Sequence, residues 1–207
     1  MPNDPHRLAT LEQVRAIIGP ENPAIRTKFF PALEETSSGF IRHSPLLLLS
    51  TVDAAGHPDV SPKGDGPGFV AIEDERTLLI PERKGNKLIQ GLQNVLATGR
   101  VALVFLVPGT EETLRVHGRA ELTSDPAVLA KLEERGQPAL LAIRVHVEHV
   151  FFHCAKAFKR SQLWKPETWP PNLRVSFGKL LAKKLGAGDD AAQKIDAAIE
   201  EDYRANL

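Results

Sequence analysis

Cysteine is almost missing from the 207-residue chain: Cys154 stands alone. An intramolecular disulfide and a multi-cysteine zinc site are excluded, and a reducing compartment, the cytoplasm, is the expectation. Excess charge of either sign is missing too. The 26 Lys and Arg residues balance 26 Asp and Glu. That excludes a polyelectrolyte tail and argues against a nucleic-acid binder held by bulk charge. Aromatic residues are sparse, at 6%. Apolar runs such as Leu46-Leu47-Leu48-Leu49 are far too short to cross a membrane. The first ten residues hold no apolar stretch, so no signal peptide is expected.

What is present reads as helices, then strands, then helices. Leu8, Leu11, Val14, Ile17 and Ile18 share one helical face, and Gly19-Pro20 ends it. A second amphipathic piece is expected over 24–33. Leu46 to Val52 reads as a strand, Asp53-Ala54-Ala55-Gly56 as a turn, and His57 to Ser61 as the returning strand. Further strands are expected over 69–72, 77–80, 101–107, 112–122 and 139–152. Helices are expected over 87–96 and 125–135, the second capped by Asp125 ahead of Pro126. Two more helical pieces run to Leu207. About six short antiparallel strands without a βαβ rhythm point to a mainly β fold, a β-barrel or closed antiparallel sheet with flanking helices.

Four local features carry candidate chemistry. In Ser61-Pro62-Lys63-Gly64-Asp65-Gly66, glycines allow close backbone approach, and Lys63 and Asp65 supply a donor and an acceptor. The other reading is a solvated turn. Pro81-Glu82-Arg83-Lys84-Gly85-Asn86-Lys87 runs from a strand end into a helix start. Cations there oppose the helix dipole unless an anion is bound, and an Arg fork suits phosphate. In the third, His153 to Trp164, Lys156, Lys159 and Arg160 share a helical side and Trp164 lies one turn beyond. His153-Cys154 lacks the partners a metal would need, and no metal is expected. The fourth is the strand Thr113 to Ala120, whose polar face shows Arg115, His117 and Arg119. Its default reading is a solvated sheet face.

Leu47-Leu48-Leu49-Ser50-Thr51-Val52-Asp53 followed by Gly56, Pro58 and Val60-Ser61-Pro62-Lys63-Gly64-Asp65 resembles the opening hairpin of the pyridoxamine 5'-phosphate oxidase-like flavin proteins. Ile80 to Lys87 looks like the phosphate-binding segment of that family, and Leu114 to Ala120 like a later strand. With His153-Cys154, Lys156, Arg160-Ser161 and Leu163-Trp164, the set resembles a bacterial subgroup associated with FMN. The resemblance implies an FMN-binding split β-barrel over 40–169, flanked by helical extensions over 1–39 and 170–207 in one compact unit. It implies a homodimer with FMN at the subunit interface. By position, Ser61, Pro62, Lys63 and Asp65 would line the ring and ribityl part, and Pro81, Arg83, Asn86 and Lys87 the phosphate. Lys156, Arg160, Ser161 and Trp164 would close the cleft from the partner subunit.

The implied activity is an FMN-dependent oxidoreductase acting on an unidentified small molecule. The alternative is a non-catalytic flavin- or haem-binding module, with His43, His117 or His153 as candidate axial ligands. The C-terminal Arg and His residues that hold pyridoxamine phosphate in the oxidases have no counterpart that can be placed here, so the substrate is left open. Neither a nucleic acid nor a membrane is expected as partner. The zero net charge also hides local clusters. Lys156, Lys159, Arg160 and Lys165 face no acid in their stretch, whereas Asp189 to Asp202 is acidic apart from Lys194.

Overall fold

A computed structural model describes residues 4–206. Helix α1, Leu11–Ile18, starts where the sequence says it should. Thr10 accepts from the Gln13 N–H, Gln13 closes the capping box, and Gly19 at φ +92° stops the helix. The expected amphipathic helix over 24–33 is instead a 3-10 helix, Pro23–Lys28, after which the chain extends. Phe30 then forms an isolated antiparallel bridge with Val150, its N–H donating to the Val150 carbonyl at 2.9 Å. Pairing to a sheet has outcompeted helical periodicity there. Helix α2, Glu35–His43, was not expected, because Thr, two Ser and Gly are weak helix formers. A Glu34–Ser37 capping box and full burial of Ile41 hold it.

Seven antiparallel strands follow, rather than about six. They are β1 Leu46–Val52, β2 Pro58–Gly64, β3 Ala71–Asp74, β4 Thr77–Glu82, β5 Arg100–Leu106, β6 Thr113–Thr123 and β7 Leu141–His153. Their order in the sheet is β2-β1-β5-β6-β7-β4-β3. The β1–β2 turn is made as the sequence indicates. Gly56 takes φ +88°, and the Asp53 carboxylate accepts from the N–H groups of Ala55 and His57 at 2.8 Å each.

Helix α3, Gln90–Thr98, lies between β4 and β5 and contributes Leu92 and Val95 to the core. The inward residues obey the two-residue strand period: Leu47 and Leu49, Leu103 and Phe105, Leu114 and Val116, Leu78 and Ile80, Ile143 and Val145 are all fully buried. Polar satisfaction extends into this core, where buried Asn94 donates to Thr51 Oγ1 at 3.0 Å. Between β6 and β7 the register shifts at His117/Gly118. A Cβ at Gly118 would overlap the His146 carbonyl, so the glycine is required by the bulge.

The remaining helices are α4 Pro126–Leu129, α5 Lys156–Ser161, α6 Phe177–Leu185 and α7 Asp189–Asn206. Asp125 caps α4 as expected, and a 3-10 turn, Ala130–Leu132, replaces the rest of the helix expected there. Leu207, the expected end of α7, lies outside the described residues. Helices α6 and α7 cross where Gly178 leaves no room for a side chain against the Ala192 carbonyl. Asp196 of α7 fastens the crossing, accepting from Ser176 Oγ at 2.6 Å and Gly178 N–H at 2.7 Å. Among the described residues no helix is long and apolar enough to cross a membrane.

Candidate functional site

Strand alternation places Asp59, Ser61 and Lys63 of β2 on one side of the strand, facing the start of α3. A cavity of about 400 Å³ lies between them. Its floor is apolar, from Leu49, Phe69 and Leu92, and its far wall is the segment from Pro81 to Asn86. That composition, an apolar floor with a few convergent polar groups, and that volume are those of a small-molecule site. Gly91 brings the helix close: a Cβ there would lie 3.8 Å from Ser61 Oγ.

The segment entering α3 is conformationally unusual. Lys87 and Ile89 both take left-handed backbone, at φ +62° and +50°. Non-glycine residues adopt that region at a cost, and such positions concentrate at functional sites. Asn86 Oδ1 accepts from the Leu88 N–H at 3.0 Å and steadies the turn. No side chain caps the helix at Ile89. The first N–H groups of α3 therefore lack a capping side chain where Gln90 and Gly91 line the cavity.

Two ion pairs cross the cavity mouth. Lys63 Nζ lies 2.5 Å from Glu82 Oε2, with the two side chains 19% and 20% exposed. Arg83 Nε donates to Asp65 Oδ2 at 2.9 Å, and Arg83 Nη1 donates to the Gln137 carbonyl at 3.2 Å. Ser61 Oγ donates to Asp59 Oδ2 at 3.0 Å. The cavity lining holds Lys63, Arg83 and Lys84 against Asp59 and Glu82. Lys84 makes no ion pair among the described residues. The balance is cationic and concentrated beside the uncapped helix.

Of the residues singled out from sequence, Ser61, Pro62, Lys63, Pro81, Arg83 and Asn86 line this cavity. Asp65 stands behind Arg83, and Lys87 belongs to the same turn without lining it. Lys156, Arg160, Ser161 and Trp164 are not among the lining residues. Lys156, Lys159 and Arg160 lie in α5 at the helical spacing expected, but Gln162 at φ +51° ends that helix, so Trp164 leaves it rather than lying one turn beyond. The Trp164 indole stacks on Phe158 at 5.8 Å and donates to the Thr110 carbonyl at 2.8 Å, and Lys159 pairs with Glu111 at 3.3 Å. Helix α5 is thereby tied to the β5–β6 turn.

Sequence reasoning did not single out Asp59, and it took Glu82 and Lys84 only as members of the Pro81 to Lys87 segment, without a role of their own. The signal for Asp59 was its position two residues before Ser61 on the same face of a strand. His43, His117 and His153 are also away from the cavity lining. His43 bonds the Gly39 carbonyl at 2.8 Å. His117 and His153 stand on the polar side of the β6–β7 pair. Burial holds their imidazoles below the ordinary range, helped by His149 and Arg115 for His117, and by Arg115 and Lys28 for His153.

No curated protein matches the chain. Among solved structures, HupZ of Group A Streptococcus is 22% identical over 58% of this chain and 93% of its own, with a TM-score of 0.49. An FMN-binding protein of Syntrophomonas wolfei subsp. wolfei is 12% identical over 70% and 97%, with a TM-score of 0.46. HutZ, a haem-storage protein of Vibrio cholerae, is 17% identical over 58% and 93%, with a TM-score of 0.43. The family model for pyridoxamine 5'-phosphate oxidase matches residues 33–154. That stretch is more than half of the chain and carries all seven strands, α3 and the cavity residues between them, while α5 to α7 lie beyond it. With every element of the sheet and of the candidate site inside the match, this chain belongs to the pyridoxamine 5'-phosphate oxidase family.

Proposed function

We propose that the cavity between β2 and the start of α3 binds FMN, and that the protein is an FMN-dependent oxidoreductase acting on a small molecule. One observation carries the reading: Lys63, Arg83, Lys84 and the uncapped N-terminus of α3 converge on one cavity with an apolar floor. The donor set fits the cofactor. Arg83 presents a planar fork to a phosphate, Lys84 adds an unpaired ammonium, and the α3 N–H groups add directed donors. Asp65 and the Gln137 carbonyl hold the Arg83 guanidinium in place from behind. Ser61 and Pro62 face the remaining length of the cavity, where a flat ring system would lie.

Bound flavin supplies hydride and electron chemistry that no side chain can. Lys63, oriented by Glu82, holds a positive charge at the mouth of the site, where it would stabilise an anionic reduced ring. We place the protein in the cytoplasm as a homodimer, with Lys156, Arg160, Ser161 and Trp164 completing the partner's cleft. Lys156, Arg160 and Ser161 are exposed, as side chains that reach a second subunit would be. Residues 1–39 and 170–207 then flank a barrel of 40–169.

Flavin fluorescence tests the reading directly. Purified protein should bind FMN at least about tenfold more tightly than riboflavin, which lacks the phosphate. The bound flavin should be bleached by dithionite or by a nicotinamide donor. Equal affinity for the two flavins, or binding of neither, would overturn it.

A further inference from the structure

The polar side of the β6–β7 pair carries a second group of cations. On β6, Arg115 and His117 stand opposite Phe151 and His149 of β7. The chain that leaves the 3-10 helix is strapped over β7 by the Phe30–Val150 bridge and brings Lys28 and Phe29 to the same place. The Phe151 ring is the centre. Lys28 Nζ lies 5.3 Å from its centroid, Arg115 Cζ 5.9 Å, the His117 ring 5.2 Å and the Phe29 ring 4.5 Å. His153 feels both Arg115 and Lys28.

Charge compensation divides these two strands in two. Toward the Thr123 end of β6, Arg119 pairs with Glu148 at 3.3 Å, Arg144 with Glu121 at 3.5 Å and His146 with Glu121 at 3.8 Å. Toward the Thr113 end the strand-to-strand ion pairs stop, and Glu111, ahead of the strand, is taken by Lys159. Among the described residues, Lys28, Arg115, His117, His149 and His153 have no ion pair. Arg115 Nε is buried without a hydrogen-bond partner. A partly desolvated guanidinium and an ammonium over one aromatic ring, with imidazoles beside them and no ion pair to any of them among the described residues, leave donors unsatisfied and positive charge uncompensated.

We propose that this part of the β6–β7 pair is an oxyanion site, in which Arg115 and Lys28 hold the phosphate group of a phosphomonoester and His117 and His153 donate to it. The Arg115 fork suits a tetrahedral oxyanion, and imidazoles can take up protons to match a dianion. The half-exposed Phe29 ring gives an aromatic ester a surface to lie on. The site is separate from the β2–α3 cavity and does not rest on the FMN reading.

Proton NMR of the imidazoles tests it, with inorganic phosphate as the probe and His117→Gln and His153→Gln for assignment. Both resonances should move and saturate with phosphate, and Arg115→Gln should weaken the response about tenfold. Lys28→Gln, on the strap, should do the same without touching the sheet. Arg83→Ala should leave this response intact, which separates it from the cavity. Phenyl phosphate binding without sedimentation on phosphatidic acid vesicles assigns a soluble ester; sedimentation lost in Lys28→Gln assigns a lipid headgroup. Imidazoles that ignore phosphate, or respond equally in both variants, overturn the site. An altered oligomer mass in Arg115→Gln with an unchanged phosphate response gives the face to a second copy, and also overturns it.

Discussion

Arg83 Nε and Asp65 Oδ2 meet at 2.9 Å across the junction between the β2 end and the β4 end of the sheet. The guanidinium is thus already oriented, and its remaining N–H groups are the ones left for an anion. Arg83→Ala should weaken FMN binding by about 1.5–3 kcal/mol, the worth of a charge-assisted hydrogen bond pair. Fluorescence titration checks this, and an unchanged Kd would move the phosphate elsewhere.

Lys63 should matter more for potential than for affinity. Its ammonium is fixed by Glu82. Lys63→Met should lower the midpoint potential of bound flavin, because the reduced anion loses a nearby cation. A dye-equilibrated redox titration reads this, and an unmoved potential would place Lys63 at the ribityl chain.

Gly118→Ala should destabilise the fold by about 1–3 kcal/mol. The new methyl group would run into the His146 carbonyl at the bulge, which backbone cannot easily yield. Urea denaturation should show a lower midpoint with an unchanged slope.

Acid should loosen the α6–α7 hairpin ahead of the barrel. Hydrogen bonds from Ser176 and the Gly178 N–H hold the Asp196 carboxyl below the usual aspartate range. Its folded-state pKa is depressed, so its stabilisation is present above the unfolded-state pKa and lost as pH falls through the folded one. Amide exchange in α6 should accelerate over that acidic window. Asp196→Asn should flatten the dependence, and an identical pH profile in the variant would refute the assignment.

The strands were legible because buried apolar residues alternate, and the β1–β2 turn because Asp53 and Gly56 suit it. Helix α3 was read three residues early, since left-handed Lys87 and Ile89 delay its start. Helix α2 was illegible: its stability lies in a capping box and the burial of Ile41. At the cavity, Ser61, Lys63, Arg83 and Asn86 could be read from local motifs. The pairings Lys63–Glu82 and Arg83–Asp65 could not, because they join segments brought together only by the tertiary fold. The α5 residues carried a helical pattern that a left-handed Gln162 cuts short.

Strands β2 and β3 are the two ends of the sheet order, so no ladder of backbone hydrogen bonds joins β2 to the β3–β4 side. That seam is fastened by side-chain charge at Lys63–Glu82 and Arg83–Asp65, beside the cavity. With their side chains only 14–24% exposed, these pairs are screened by salt far less than surface pairs are. The seam therefore depends on the identity of four side chains, whereas the rest of the sheet is joined by backbone groups that nearly any sequence would supply.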